Sequence, residues 1–157
     1  MPGMEDVRRG FYFEEFEIGQ RVVSPSRTIT EADIVNFAGI TGDWNLIHTD
    51  AIYAKDTPFG QRVAHGLLIM SIVSGLAVRT GVMEGTVIAF REIQSWKFSL
   101  PVFIGDTIHV EMEVEETKSL PKLGGGSIKL VVDVKNQDDK TAMKGRWIAL
   151  MQSRPTA

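Results

Sequence analysis

The sequence predicts an α+β domain in which an antiparallel β-sheet is wrapped around one buried central helix. Three observations carry that reading. Ala64 to Arg79 has no charge between His65 and Arg79, and its apolar side chains go right round a helical wheel, as in a helix buried on all sides. The stretch is short for a membrane span and is interrupted by Ser71, Ser74 and Gly75. Beyond Gly85 the pattern changes to alternation. Ile108, Val110, Met112 and Val114 alternate with acids and His109, and Ile128, Leu130, Val132 and Val134 alternate with Lys129, Val131 and Asp133, as in strands with one wet face. The connections are short (Leu100 to Asp106, Pro121 to Gly126, Asn136 to Lys140), so hairpins and antiparallel pairing are expected.

Taken in order, residues 1–10 are expected to be a flexible arm and residues 11–157 a single domain. Phe11 to Gly19 reads as irregular structure ending in a Gly turn. A strand opens at Arg21-Val22-Val23 and continues past Pro25 towards Ile29, the proline marking an edge or a bulge. Thr30 caps a helix with Asp33 three residues on, and Ile34, Val35, Phe37 and Ala38 face inward. Gly39 to His48 is expected to be a loop. Thr49 or Asp50 caps a short helix through Ala54, stopped by Pro58 and Gly60. In the central helix, Ser71, Ser74, Gly75 and Val78 make a small-residue strip that another backbone can approach. Val87 to Phe98 is a long strand with an irregularity at Arg91-Glu92, and Arg146 to Gln152 is a central strand, apolar on both faces.

The chain has 157 residues, 43% hydrophobic and 24% charged, which suits one globular domain or one subunit of an oligomer. The net charge of −3, without a basic block, argues against a nucleic-acid partner. The absence of cysteine removes disulfides, thiolate zinc sites and cysteine nucleophiles, and fits a cytoplasmic setting. No secretory signal and no membrane-spanning stretch is read.

Thr41 to His48 holds Asp43 and His48 five residues apart, ahead of a helix cap. Such a carboxylate and imidazole can hold a water and move protons. They can equally be an Asp bonded to turn amides and a surface His, and spacing leaves both open. A metal site drawn from Asp43, His48 and His65 lacks a compact ligand motif, so no metal is expected. Ser71 has no nucleophile-elbow setting, and Gly124-Gly125-Gly126 reads as a hairpin loop and not a phosphate cradle.

Three segments together resemble the MaoC-like dehydratases, the (R)-specific enoyl-CoA hydratases of hot dog fold. They are Gly42-Asp43-Trp44-Asn45-Leu46-Ile47-His48, Val63 to Ser71, and Phe98 to Asp106. The resemblance covers about Phe13 to Met151. It departs at Leu46, where the family pattern usually has proline, and this is expected to loosen the loop. The resemblance implies that Asp43 and His48 jointly hold the water that adds across an enoyl thioester double bond. The backbone N–H of Gly66, at a helix N-terminus, suits the negative charge that develops on the thioester oxygen. Ser71 matches a family serine near the catalytic pair, its other reading being a helical Ser bonded back one turn. Asn45 shapes the loop; Trp44, Ile47, Phe59 and Met70 are candidate lining of an acyl tunnel. His65 is expected to fix the helix start, and His109 to lie on a wet face. Coenzyme A is expected as part of the substrate, with no separate cofactor, its phosphates near Arg62, Arg79, Arg91 or Lys97. A homodimer or dimer-based assembly is expected, since a sheet of this kind leaves edges to cover. Two rivals are a hot dog thioesterase and a non-catalytic acyl-CoA-binding subunit. The first is disfavoured because no acid lies between His65 and Thr80, the second because the pair is intact.

Overall fold

The computed structural model describes residues 9–155. In chain order they form β1 (Arg21–Val23), β2 (Arg27–Thr28), α1 (Glu31–Thr41), α2 (Leu46–Thr49), α3 (Ala51–Lys55), α4 (Gly66–Arg79), β3 (Val87–Phe98), β4 (Thr107–Leu120), β5 (Gly125–Lys135) and β6 (Thr141–Gln152). The expected N-terminal arm lies outside the described residues except at its end. There, Gly10 donates to the Gly81 carbonyl at 2.8 Å and Arg9 pairs with Glu84.

Alternation builds the sheet as the sequence demands. Ile108, Val110, Met112 and Val114 of β4 and Ile128, Leu130, Val132 and Val134 of β5 are all buried, and they pack on Leu68, Ile69, Ile72, Val73, Leu76 and Ala77 of α4. The strand order is β1-β4-β5-β6-β3, with β2 also on β4, and every pairing is antiparallel. A sheet folded over one apolar helix is the arrangement that the hot dog resemblance implies. No helix among the described residues is long and apolar enough to cross a membrane.

Several local expectations hold. Thr30 and Asp33 form a reciprocal capping box on α1, Asp50 caps α3, and β3 is irregular between Phe90 and Glu92. Others are corrected. The strand at residues 21–29 breaks at Ser24 to Ser26, where the Ser24 hydroxyl accepts the Val110 N–H at 2.9 Å, so β1 and β2 are separate pairings on β4. Val35 is 43% exposed, because α1 turns mainly Ile34 and Ala38 inward. His48 lies in a short helix, α2, and not in a loop.

Two corrections matter for the site. The connection from Ser99 to Asp106 is not a hairpin, because β3 pairs with β6 at the edge opposite β1. Two strands intervene between β3 and β4, a span of about 14 Å. Eight residues reach up to about 26 Å, so shortness alone does not distinguish a crossing from a hairpin. On its way this segment is stitched to the residues ahead of α4, with Ala64 donating to the Val102 carbonyl at 2.8 Å. The second correction concerns α4, which is not covered on all sides. Leu67 and Val78 are 63% and 53% exposed, and Ser71, Ser74 and Gly75 lie on the same open face. The sheet encloses one side of the helix and α1 only part of the other.

Candidate active site

The site is built by three stretches that meet at the leading end of α4. The first begins where α1 stops. Gly42 takes a left-handed conformation (φ 75°) and returns its N–H to the Ala38 carbonyl, a helix ending that a Cβ would strain. The chain then turns tightly. Asp43 accepts the Asn45 N–H through Oδ1 at 3.3 Å, and Asn45 in turn caps α2 by accepting the Ile47 N–H at 3.3 Å. Leu46 is the first residue of α2, the position where proline is welcome because its N–H has no intrahelical partner. With leucine there, the turn is shaped by the Asp43 and Asn45 side-chain bonds.

His48, one turn into α2, is buried at 8% exposure. Its Nδ1 lies 2.6 Å from the Val63 carbonyl oxygen. A carbonyl only accepts, so Nδ1 carries the proton and Nε2 is left bare. Burial pushes the His48 pKa below the usual histidine value, outweighing the bond to Val63 and the nearby Asp43 charge, which act in the other direction. His48 is therefore a neutral imidazole with an open lone pair at neutral pH. Side-chain donor atoms of Asp43, His48 and His65 all lie within 4.8 Å of one another. Asp43 is exposed, whereas both imidazoles are buried.

Those three groups also invite the question of a cation. The Nδ1 of His48 and the Nε2 of His65 are both engaged with carbonyl oxygens, and the two rings stack at 3.8 Å with 29° between their planes. Each ring thus has one nitrogen committed to a main-chain carbonyl and one left for other partners.

The second stretch is the start of α4. His65 gives the helix no side-chain cap, and Gly66 is its first residue, so the N–H of Gly66 has no backbone acceptor among the described residues. The third is the crossing segment with the end of β3. Phe98, Leu100, Pro101, Val102 and Met143 line a cleft of about 340 Å³ together with Ile47, His48, Phe59 and Gly66. Phe98 lies so near that a Cβ on Gly66 would come within 2.7 Å of its ring. An unprotonated imidazole nitrogen and a free helix-end amide thus share one apolar cleft; Asp43 is not among the residues that line it, and its carboxylate lies within 4.8 Å of a His48 ring nitrogen. That set can take a proton, return it, and hold a negative oxygen.

Of the residues singled out from sequence, the fold brings Asp43 and His48 together and puts Ile47, His48, Phe59 and Gly66 in the cleft wall. Asn45 shapes the turn. Trp44 is 54% exposed, and neither Trp44 nor Met70 is among the residues that line the cleft. Ser71 is not brought to the pair. Its hydroxyl donates to the Leu67 carbonyl at 2.8 Å, and it faces a separate groove between α1 and α4. None of the four cations considered for coenzyme A lines the cleft. Arg62 is bonded to Glu31 at 2.7 Å, Arg79 faces the α1–α4 groove, Arg91 lies beside Glu92 and Lys129 on the sheet, and Lys97 is on β3. His109 is half-buried within 3.5 Å of Glu111. Sequence reasoning missed Phe98, Leu100, Val102 and Met143 as lining. The first three sit in a segment whose motif was legible, but reading the segment as a hairpin hid their position.

An antiparallel sheet around one apolar helix defines a hot dog fold. Residues 14–136 match the family model described as the MaoC like domain. The chain belongs to the MaoC-like dehydratase family. It is similar to Protein MaoC of Klebsiella aerogenes, with 46% identity over 101 residues, which are 64% of this chain and 30% of that protein. It is also similar to the (R)-specific enoyl-CoA hydratase of Rhodospirillum rubrum, with 39% identity over 103 residues, 66% of this chain and 69% of that one. Among solved structures, a monoamine oxidase regulatory protein from Archaeoglobus fulgidus superposes with a TM-score of 0.86 at 37% identity, over 95% of this chain and 99% of that one. The chain thus spans less than a third of the length of Protein MaoC and about two thirds of the hydratase.

Proposed function

We propose that this protein is a hydro-lyase that adds water reversibly to a trans-2-enoyl-CoA, giving an (R)-3-hydroxyacyl-CoA. The observation that carries the reading is that His48 shares a cleft with the free amide of Gly66 while the Asp43 carboxylate lies within 4.8 Å of a His48 ring nitrogen. The enoyl thioester enters the cleft with its carbonyl oxygen at the Gly66 N–H. Water rests between the Asp43 carboxylate and His48 Nε2. His48 takes one proton as the water oxygen bonds to the β-carbon. The double-bond electrons move to the thioester oxygen, where the amide and the helix end stabilise them. That enolate collapses by taking a proton at the α-carbon, delivered by the pair, so one whole water is added. The two groups titrate as a unit. The (R) configuration is carried over from the similarity to the Rhodospirillum rubrum enzyme.

A second copy of the chain completes the assembly in this reading. Edge strand β3 exposes Val87, Ile88, Phe90, Ile93 and Phe98, and α4 exposes its strip of small residues. Both need cover that the described residues do not supply.

The test is crotonyl-CoA with the purified protein, following enoyl absorbance and free thiol together, then chiral analysis of the product. Loss of absorbance without thiol release, giving the (R)-hydroxyacyl product, is expected. Thiol release would favour a thioesterase, and bound CoA without turnover of any enoyl thioester a binding subunit.

A further inference from the structure

Resting on the hydration reading above, we propose that His65 is a positioning residue, holding Asp43 and His48 in register over the leading end of α4. The sequence suggested only that His65 starts the helix. Its side chain makes no cap bond there; the helix start is served by its backbone carbonyl, which accepts the Ile69 N–H at 3.1 Å. The ring does something else. His65 Nε2 lies 2.9 Å from the main-chain carbonyl of Asp43, 22 residues earlier, and donates to it, since a carbonyl only accepts. Its Nδ1 is buried and has no partner among the described residues, so the ring's polar edge is spent on Asp43 alone. One face stacks on His48 at 3.8 Å, and Phe37 of α1 packs on the ring at 5.0 Å and 58°.

The neighbouring residues complete the grip. The Val63 carbonyl holds the His48 ring through Nδ1, and the Val63 N–H donates to the Ile47 carbonyl at 3.1 Å. One run of four residues, Val63 to Gly66, therefore fixes the imidazole, fixes the backbone that carries the carboxylate, and presents the amide that receives the oxyanion. Asp43 is exposed and its own turn bonds are 3.2 to 3.3 Å long, and the His65 bond adds a tie from this turn to a buried side chain. His65 itself is 2% exposed and fixed from several sides, as a tie must be. Misplacing a catalytic group by about 1 Å costs about 10²-fold in rate, which sets the expected effect.

The experiment compares His65→Gln, whose side-chain amide N–H reaches where Nε2 stands, with His65→Phe, which keeps a ring for stacking but has no donor. Val73→Ala, in the buried face of α4, controls for lost stability alone. At a temperature where all are folded, His65→Phe is expected to lower kcat about 10- to 100-fold with KM changed less than about 3-fold. His65→Gln should stay within about 5-fold of wild type, and Val73→Ala should lose Tm without losing kcat. Hydrogen exchange of residues 42–46 should quicken in His65→Phe and not in His65→Gln. Wild-type kcat in His65→Phe, equal loss in both variants, or unchanged exchange would each overturn the proposal. The exchange arm needs no turnover. If the wild-type protein hydrates no enoyl-CoA, the reaction assignment fails while exchange still decides what His65 holds.

Discussion

Gly66→Ala puts the sharpest question to the site. The added methyl would stand 2.7 and 2.9 Å from two ring carbons of Phe98, about 1 Å inside comfortable carbon contact. The Phe98 ring is 55% exposed, so it can swing outward, and the fold survives. Overpacking costs about 1–3 kcal/mol, and replacing glycine by alanine in a helix returns up to about 1 kcal/mol. The net loss of about 0–3 kcal/mol corresponds to a Tm lower by at most about 12 °C for a domain of this size. Activity is expected to fall far more. The methyl intrudes on the cleft that Gly66 and Phe98 line and displaces the thioester oxygen from the amide, and losing one oxyanion donor costs about 10²–10³-fold in kcat. Crotonyl-CoA hydration kinetics beside thermal melts give both numbers, and Gly66→Ala/Phe98→Ala separates their causes. The double variant should regain the Tm lost to the clash while remaining impaired, because the methyl still occupies the cleft beside the amide. If Gly66→Ala turns over at nearly the wild-type rate, the thioester oxygen does not sit at this amide and the mechanism is wrong.

Other outcomes follow from the same geometry. Asp43→Asn and His48→Gln should each cut turnover about 10²–10⁴-fold with the circular dichroism spectrum intact, and the double variant should be little worse than the weaker single one, as for groups acting together. Because burial depresses the His48 pKa, its neutral form persists below the ordinary value of 6.5, so the acid limb of kcat/KM should lie below that pH. The same depression means that the unfolded chain binds the proton first. The His48 contribution to stability is present above the ordinary value and fades as pH falls through the lowered one, which pH-dependent denaturant titration can follow. Ser71→Ala should leave kcat within about 3-fold, since its hydroxyl is spent on the Leu67 carbonyl; a large loss would restore it to the catalytic set. Phe90→Lys, on the exposed edge strand, should convert a dimer to monomer by sedimentation, and an unchanged dimer would move the interface elsewhere.

Much of the architecture was legible because it depends on local periodicity. Alternation at residues 108–114 and 128–134 marked β4 and β5, and an uncharged run marked α4. Thr30 with Asp33 and Asp50 marked helix starts through side chains that bond their own neighbours. Ser71 shows the limit. A motif match placed it with the catalytic pair, but the helix offered its hydroxyl a nearer acceptor, and the competition between them is settled by position in space. Val35 and Leu67 show the same limit for burial, since a helix does not record how far round its circumference other elements reach.

The sequence by itself determined that a sheet would enclose one apolar helix, and that a carboxylate and an imidazole would lie just ahead of it. Those features come from residue type and spacing, which act over a few residues. Only the tertiary structure decided that β3 joins β6, so that the connection after it crosses the sheet and walls the cleft with Phe98 and Val102. It also decided that Val63 and His65 tie His48 and Asp43 to the helix start. Pairings between residues 15 or 22 apart depend on how the sheet closes over the helix, and no local pattern encodes that closure.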